Sequence, residues 1–149
     1  MPLSGFVLRA CELRDLDQVT EVEKASFQDR PYSRSDFVSC LLTAQRGFIV
    51  ACRDASVIGY VISVSQGHEG FIQSIAVLPA FRQEGVGEAL MKSALDHLTV
   101  RCRWASLLVD VNNKAAIRLY RKFSFSETGR IIEGYYPNGD DAIEMANEL

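Results

Sequence analysis

The chain is poor in the residues that build metal centres, disulfide scaffolds and basic surfaces. Its 149 residues hold two histidines and four cysteines, Cys11, Cys40, Cys52 and Cys102. No two cysteines are spaced as CxxC, and two histidines do not complete a zinc set, so no metal is expected. The cysteines read as buried or half-buried thiols in a reducing compartment. No apolar run approaches the roughly 18 residues of a membrane helix. Residues 1–10 lack a basic stretch followed by an apolar one, so no signal peptide is read and a cytoplasmic location is expected. Positive charge is in deficit, with 16 Lys and Arg against 19 Asp and Glu. Nucleic-acid affinity comes largely from neutralising phosphates, so neither a nucleic-acid nor a membrane partner is expected. A local basic strip for one small phosphorylated ligand stays open. No Pro/Gly/Ser-rich linker and no internal repeat divides the chain, so residues 1–149 read as one domain.

What is present is an ordinary globular composition, 48% hydrophobic and 23% charged, with clear periodicities. Residues 6–11 alternate as a strand. Residues 13–27 carry Leu16, Val19, Val22 and Phe27 near helical spacing, with Asp15 as the expected cap. Pro31 breaks that helix, and Ser33 or Ser35 can cap a second one carrying Phe37, Val38, Leu41 and Leu42. Residues 47–53 and 57–65 predict a hairpin turning at Asp54-Ala55-Ser56. Residues 66–70 read as a polar connection, and 71–78 as a strand stopped by Pro79. An amphipathic helix is expected over 85–98. The apolar run 104–111 suggests a strand buried on both faces. A short helix at 115–123 and strands at 125–132 and 142–146 complete the order β-α-α-β-β-β-α-β-α-β-β. Hairpins mixed with crossover helices imply an α/β (α+β) fold, a mixed and mostly antiparallel sheet with helices on both faces.

The richest stretch is Arg82-Gln83-Glu84-Gly85-Val86-Gly87, where an apolar strand turns into a helix. Helix N-termini carry unpaired N–H groups and partial positive charge, which suits a phosphate. Gly85 and Gly87 lack Cβ atoms, so a pyrophosphate can approach the backbone closely. Arg82 adds a fixed positive charge. Here the chain resembles the GCN5-related N-acetyltransferase (GNAT) family, whose acetyl-CoA pyrophosphate signature RQEGVG is similar to. The resemblance implies a sheet splayed at the cofactor site. Ile75, Ala76 and Val77 would line the pantetheine arm, with the backbone of Ile75 and Val77 bonding it. The amides of Gln83, Glu84, Gly85, Val86 and Gly87 would hold the pyrophosphate.

A second block, residues 111–125, resembles the family's N-x-x-A-x-x-L-Y-x-K-x-G-F pattern, with Ser124 where the family usually has Gly. By that match Asn113 would bond the pantetheine arm, and the Tyr120 phenol would face the cofactor thiol. A phenol is a reasonable general acid for a departing thiolate. Residues 31–37 resemble the P-W-S-x-x-x-F segment of RimI-type ribosomal-protein alanine acetyltransferases. Residues 134–145 are similar to the Y-Y-x-x-x-x-D-A-x-x-M tail of those enzymes and of N-terminal acetyltransferases. These matches imply that Tyr32, Phe71, Tyr135 and Tyr136 line the approach of a protein or peptide N-terminus, a ribosomal protein among the possible partners.

One feature departs from that pattern. RimI-type enzymes carry a Glu base twelve residues before the acid Tyr, and here that position is Leu108. The Arg two residues on is Asp110. The candidate bases are Asp29, Glu69 with its neighbour His68, and Asp110, which shares a strand face with Leu108. No cysteine sits in a nucleophile setting, so direct attack in a ternary complex is expected. Acetylation of a small amine or polyamine is the alternative within the fold. A non-catalytic acyl-CoA-binding module that lost its base is the alternative outside enzymology. Nothing in the chain specifies an oligomeric state.

Overall fold

The periodicities translate into seven strands and four α-helices over residues 5–27 and 31–149, which the computed structural model describes. The strands are β1 (Val7–Ala10), β2 (Phe48–Arg53), β3 (Ser56–Gln66), β4 (Glu69–Val77), β5 (Trp104–Asp110), β6 (Ser126–Ile132) and β7 (Ala142–Glu148). The helices are α1 (Leu16–Ser26), α2 (Arg34–Ala44), α3 (Val86–Thr99) and α4 (Lys114–Lys122). The strands form one sheet in the order β1-β2-β3-β4-β5-β7-β6. Only β4 and β5 run parallel. The predicted order of elements holds throughout.

Alternation along the strands sorts the core into two layers. On one face, Leu16, Val19 and Val22 of α1 and Phe37 of α2 pack with Phe48, Val50, Tyr60 and Ile62. On the other, Leu90, Met91 and Leu98 of α3 and Ile117 of α4 pack with Ile49, Ala51, Val61, Leu107 and Val109. Each such side chain contributes about 1.5–3 kcal/mol relative to exposure. Among the described residues, no helix is long and apolar enough to cross a membrane.

Three local expectations change, and the choice between Ser33 and Ser35 at α2 is settled. Asp15 ends a 3₁₀ turn (Leu13–Asp15) and makes no side-chain cap on α1. Its carboxylate instead accepts from Arg9 and from the Glu12 N–H. At α2 the cap is Ser33, whose Oγ accepts from the Asp36 N–H at 3.2 Å. The polar connection is shorter than predicted, because Glu69 and Gly70 already belong to β4. Finally, β5 is buried on one face only: Ala105, Leu107 and Val109 are buried, whereas Ser106, Leu108 and Asp110 are half-open. Helices α1 and α2 pack on β2–β4 and leave that half-open face bare.

The sheet parts between its two parallel strands. β4 and β5 pair only at Glu69–Trp104, Gly70–Ala105 and Phe71–Ser106. β4 then runs on to Val77, and β5 to Asp110, without further rungs. The register of β4 against β3 slips at this place, with Ile62 opposite Ser74 and Ser63 opposite Ile72. Gln73 is the extra residue of a bulge. Bulges bend the strand that carries them, and this one turns β4 away from β5.

Candidate active site

The parting exposes a particular set of backbone groups. The Leu78 N–H bonds the Ile58 carbonyl at 2.8 Å. Antiparallel pairs alternate between bonded and non-bonded, so Ala76 and Ser74 also spend their main-chain groups on β3. Ile75 and Val77 point theirs the other way, into the gap that β5 has left. Ala76 therefore differs from its predicted neighbours. Its backbone faces β3 and its side chain is buried beneath α1. The Val77 carbonyl is taken by the Arg82 Nε at 3.0 Å, and the Arg82 Nη2 reaches the Ser26 Oγ at 3.2 Å. Arg82 thus braces the turn after β4 while keeping its charge there.

That turn runs into α3 through Gln83 and Gly85, both with positive φ, 67° and 85°. Gly85 is the N-cap in the left-handed region, and a Cβ built on it would meet nothing within 4 Å. The space over the helix start is open, and the N–H groups of its first turn have no intrahelical partners. Glu84 pairs with Arg53 at 2.8 Å, and Glu88 with Lys122 at 2.6 Å. Both carboxylates beside the helix start are therefore neutralised. The Gly87 position is less demanding, with a Cβ in ordinary contact with Leu119 at 3.7 Å.

Tyr120 comes from α4 on the same side of the sheet as α3. It is buried, and its ring stands edge-on to Phe125 with centroids 6.2 Å apart. Its hydroxyl makes no hydrogen bond to a described residue. Burial, then the neighbouring Tyr136, hold its pKa well above the ordinary phenol value, so it stays protonated. Asn113 caps α4 through its Oδ1, which accepts from the Ala116 N–H at 3.2 Å.

On the opposite side, half-buried Tyr32 packs edge-on to Phe37 at 5.5 Å. Tyr135 and Tyr136 stand perpendicular to each other, with centroids 5.0 Å apart. Their loop is held by the Gly134 N–H to Asp141 at 2.9 Å and the Tyr136 N–H to the Asp140 carbonyl at 3.1 Å. Tyr136 is pushed up to about 12 by burial, then by Tyr135, Asp110 and Tyr32. The loop before α2, the end of β5 and the β6–β7 turn thus meet around one hydroxyl. Beside it, Pro31, Tyr32, Asp36, Cys40 and Gln73 line a depression of about 500 Å³.

The predicted bases separate. Asp110 ends β5 at the parted end, where it accepts from the Asn112 N–H at 2.9 Å. Burial, with Asp140 adding to it, raises the Asp110 carboxyl above its usual range. Glu69 sits on the closed rung opposite Trp104, six residues before Ile75 and so roughly 20 Å along the strand. His68 precedes it and bonds the Arg101 carbonyl. The structure does not bring Glu69 or His68 to the parting. Asp29 lies outside the described residues. Phe71 occupies the last paired rung.

Two facts concern nucleophiles and metals. Burial raises the pKa of all four cysteines, Cys11 to about 12, which keeps them as thiols. No group of three or more His, Cys, Asp or Glu side chains able to hold a metal occurs among the described residues.

Sequence reasoning missed a buried polar cluster beneath α1, made of Glu23, Tyr60 and Ser74. Glu23 follows Leu16 and Val19 on the buried stripe of α1. A carboxylate at that spacing was the available signal.

The chain is similar to known proteins over nearly its whole length. The acetyltransferase (GNAT) family model matches residues 11–125. An N-alpha-acetyltransferase of Sulfolobus acidocaldarius is 33% identical over 97% of this chain and 94% of its own length. The crystal structure of Ard1 from Thermoplasma volcanium superposes with a TM-score of 0.92 at 25% identity, covering 97% of this chain and 98% of that one. The ribosomal-protein-S18-alanine N-acetyltransferase from Escherichia coli gives a TM-score of 0.85 at 27% identity, over 97% and 94% of the two chains. A parted β4–β5 edge, an open helix start and a matching family model together make this chain a member of the acetyltransferase (GNAT) family.

Proposed function

We propose that this chain transfers acetyl from acetyl-CoA to the α-amine at a protein N-terminus, by direct attack within one ternary complex. The observation that carries the reading is the parting of β4 from β5. It leaves the main-chain groups of Ile75 and the Val77 N–H free to bond an extended amide chain such as pantetheine. The open start of α3, from Gln83 to Gly87, suits the pyrophosphate, and nothing stands where a Gly85 Cβ would be. Asn113 would contribute through its side-chain Nδ2. Acetyl-CoA supplies a thioester, whose carbonyl carbon the amine attacks.

The chain's own groups then have separable tasks. Tyr120, held protonated by burial, donates its proton to the departing thiolate. Tyr32, Tyr135 and Tyr136 would line the approach of the peptide end, a placement supported by the electrostatic proximity of Tyr32 and Tyr135 to Tyr136. An α-amine has an ordinary pKa near 8, so a fair fraction is already neutral at pH 7. Among the predicted bases, Asp110 has the location in its favour. Four cysteines kept as thiols favour direct attack over an acetyl-enzyme. The names of the Sulfolobus and Escherichia coli relatives support a protein N-terminus as substrate. The neighbouring Asp110 and Asp140 carboxyls favour a polyamine as the second reading.

The test is an acetylation screen with acetyl-CoA over peptides of varied first residue, including a ribosomal-protein terminus, beside N-terminally blocked lysine peptides and polyamines. Acetyl on the α-amine of some peptides, with the blocked ones inert, is the expected outcome. Transfer only to polyamines or lysine side chains would remove the N-terminal reading.

A further inference from the structure

The attacking amine must lose a proton, and position 108 is a leucine. The buried cluster beneath α1 offers a route. Glu23 is 3% exposed. Its Oε1 accepts the Tyr60 hydroxyl, and its Oε2 accepts the Tyr32 N–H at 2.8 Å. The Tyr60 oxygen lies 2.8 Å from the Ser74 Oγ. Tyr60 has one proton and gives it to Glu23, so the Ser74 hydroxyl must be the donor in the outer bond. All the protons therefore point inward, and the lone pairs of half-exposed Ser74 remain free. Ser74 sits between the bulge at Gln73 and Ile75, where β4 has left β5.

The geometry points to Ser74–Tyr60–Glu23 as the proton relay that deprotonates the substrate amine, with Glu23 the acceptor in place of a base at position 108. The inference rests on the proposed acetyl transfer. As the amine nitrogen bonds the thioester carbon, its proton passes to the Ser74 Oγ. The Ser74 proton passes to the Tyr60 oxygen, and the Tyr60 proton to the Glu23 Oε1. The C–S bond breaks and the thiolate takes the Tyr120 proton. Exchange with solvent returns one proton from Glu23 to Tyr120, which restores both.

The setting of Glu23 suits an acceptor. The groups facing it are Tyr60 from β3, Ser74 from β4, the Tyr32 N–H from the loop and Asp36 from α2. No Lys or Arg pairs with it among the described residues. Burial, with Asp36 adding to it, lifts its carboxyl above the ordinary range, nearer the working pH. Asp110 is less suited, because Asp140 and the Asn112 N–H already engage its carboxyl.

The experiment is the pH dependence of kcat/KM on a peptide with a free α-amine that the wild-type protein acetylates, for wild type, Glu23→Gln, Tyr60→Phe, Ser74→Ala and Asp110→Asn, with acetyl-CoA affinity measured alongside. Wild type should lose activity with slope one as the amine protonates, steepening to slope two once Glu23 does. Glu23→Gln should keep slope one throughout, with kcat down about 10²-fold and acetyl-CoA affinity unchanged. Ser74→Ala, a small change that leaves the core filled, should reproduce the loss of kcat if Glu23→Gln fails to fold. Unchanged kcat and slope in these variants, or loss of the second slope in Asp110→Asn alone, overturns the relay while leaving the acetyl transfer standing. A wild-type protein that acetylates no amine overturns both.

Discussion

The two halves of the sheet are built to opposite rules. From β2 to β4 both faces are covered, by α1 and α2 on one side and α3 on the other. Every buried polar group there has a partner, Asp15 with Arg9 and Glu23 with Tyr60 and Tyr32. From β5 to β7 one face is bare, with Ser106, Leu108 and Asp110 half-open, and the Tyr120 hydroxyl bonds none of the described residues. Unmatched hydrogen-bonding capacity is unfavourable in a folded protein unless something else fills it. The closed half is therefore a platform, and the open half is where ligands complete the structure. Apart from the Glu23–Tyr60–Ser74 relay, which crosses the closed half to reach the parted edge, and the start of α3, substitutions should follow the same division, moving stability in one half and turnover in the other.

The sharpest contrast is expected at Tyr120. Tyr120→Phe removes one hydroxyl that bonds none of the described residues and keeps the ring against Phe125. Its kcat should fall by about 10²-fold or more, with melting temperature and acetyl-CoA affinity close to wild type. Steady-state kinetics beside calorimetry would read this, and an undiminished kcat would remove Tyr120 from the acid role. Gly85 comes next. Gly85→Asp places a carboxylate over the helix start, where one charge at contact distance is worth a few kcal/mol. Acetyl-CoA affinity should fall at least about tenfold. Gly85→Asn has similar size and tolerates the left-handed region, so most of the loss should be absent there. Equal binding by all three proteins in a titration would contradict the phosphate cradle.

The same division explains what could be read along the chain. The cradle is local: Arg82 to Gly87 are consecutive, so residue type and spacing carry the chemistry directly. The order of strands and helices was legible for the same reason, since period and turn residues are short-range signals. The amine slot is assembled from residues around 32, 74, 108–110 and 135–136, and only the fold brings them together. Glu69 illustrates the difficulty. It neighbours the right strand in sequence, yet it lies at the closed end, a distance set by strand direction rather than residue type. The bulge at Gln73 leaves no mark in residue type, although it opens the gap. The half-open face of β5 was hidden because Leu108 is apolar in either environment. Asp15 does stand at the N-cap position of α1, but it is also the last residue of a 3₁₀ turn, and its carboxylate bonds the Glu12 N–H and Arg9 instead of capping α1.

Asp15 provides the smallest expected effect and the cleanest case of a closed-half residue. Its side chain is 4% exposed, and it pairs with the Arg9 guanidinium, which with the Glu12 N–H holds its carboxyl below the usual range. A depressed carboxyl contributes stability above its unfolded pKa, near 3.9, and that contribution is lost as pH falls through the lower folded value. Arg9 is partly solvated, so screening keeps the gain modest. Asp15→Asn should lower the melting temperature at pH 7 by roughly 2–4 °C, the shift that about 1 kcal/mol produces in a domain of this size. The difference from wild type should shrink below pH 4 and vanish once Asp15 itself is protonated. Turnover per folded molecule should stay at the wild-type level, because the latch lies on the covered side of the sheet. A pH-independent gap in melting temperature would mean that shape, rather than charge, holds β1 to the start of α1, and a loss of turnover would mean that the two halves are coupled.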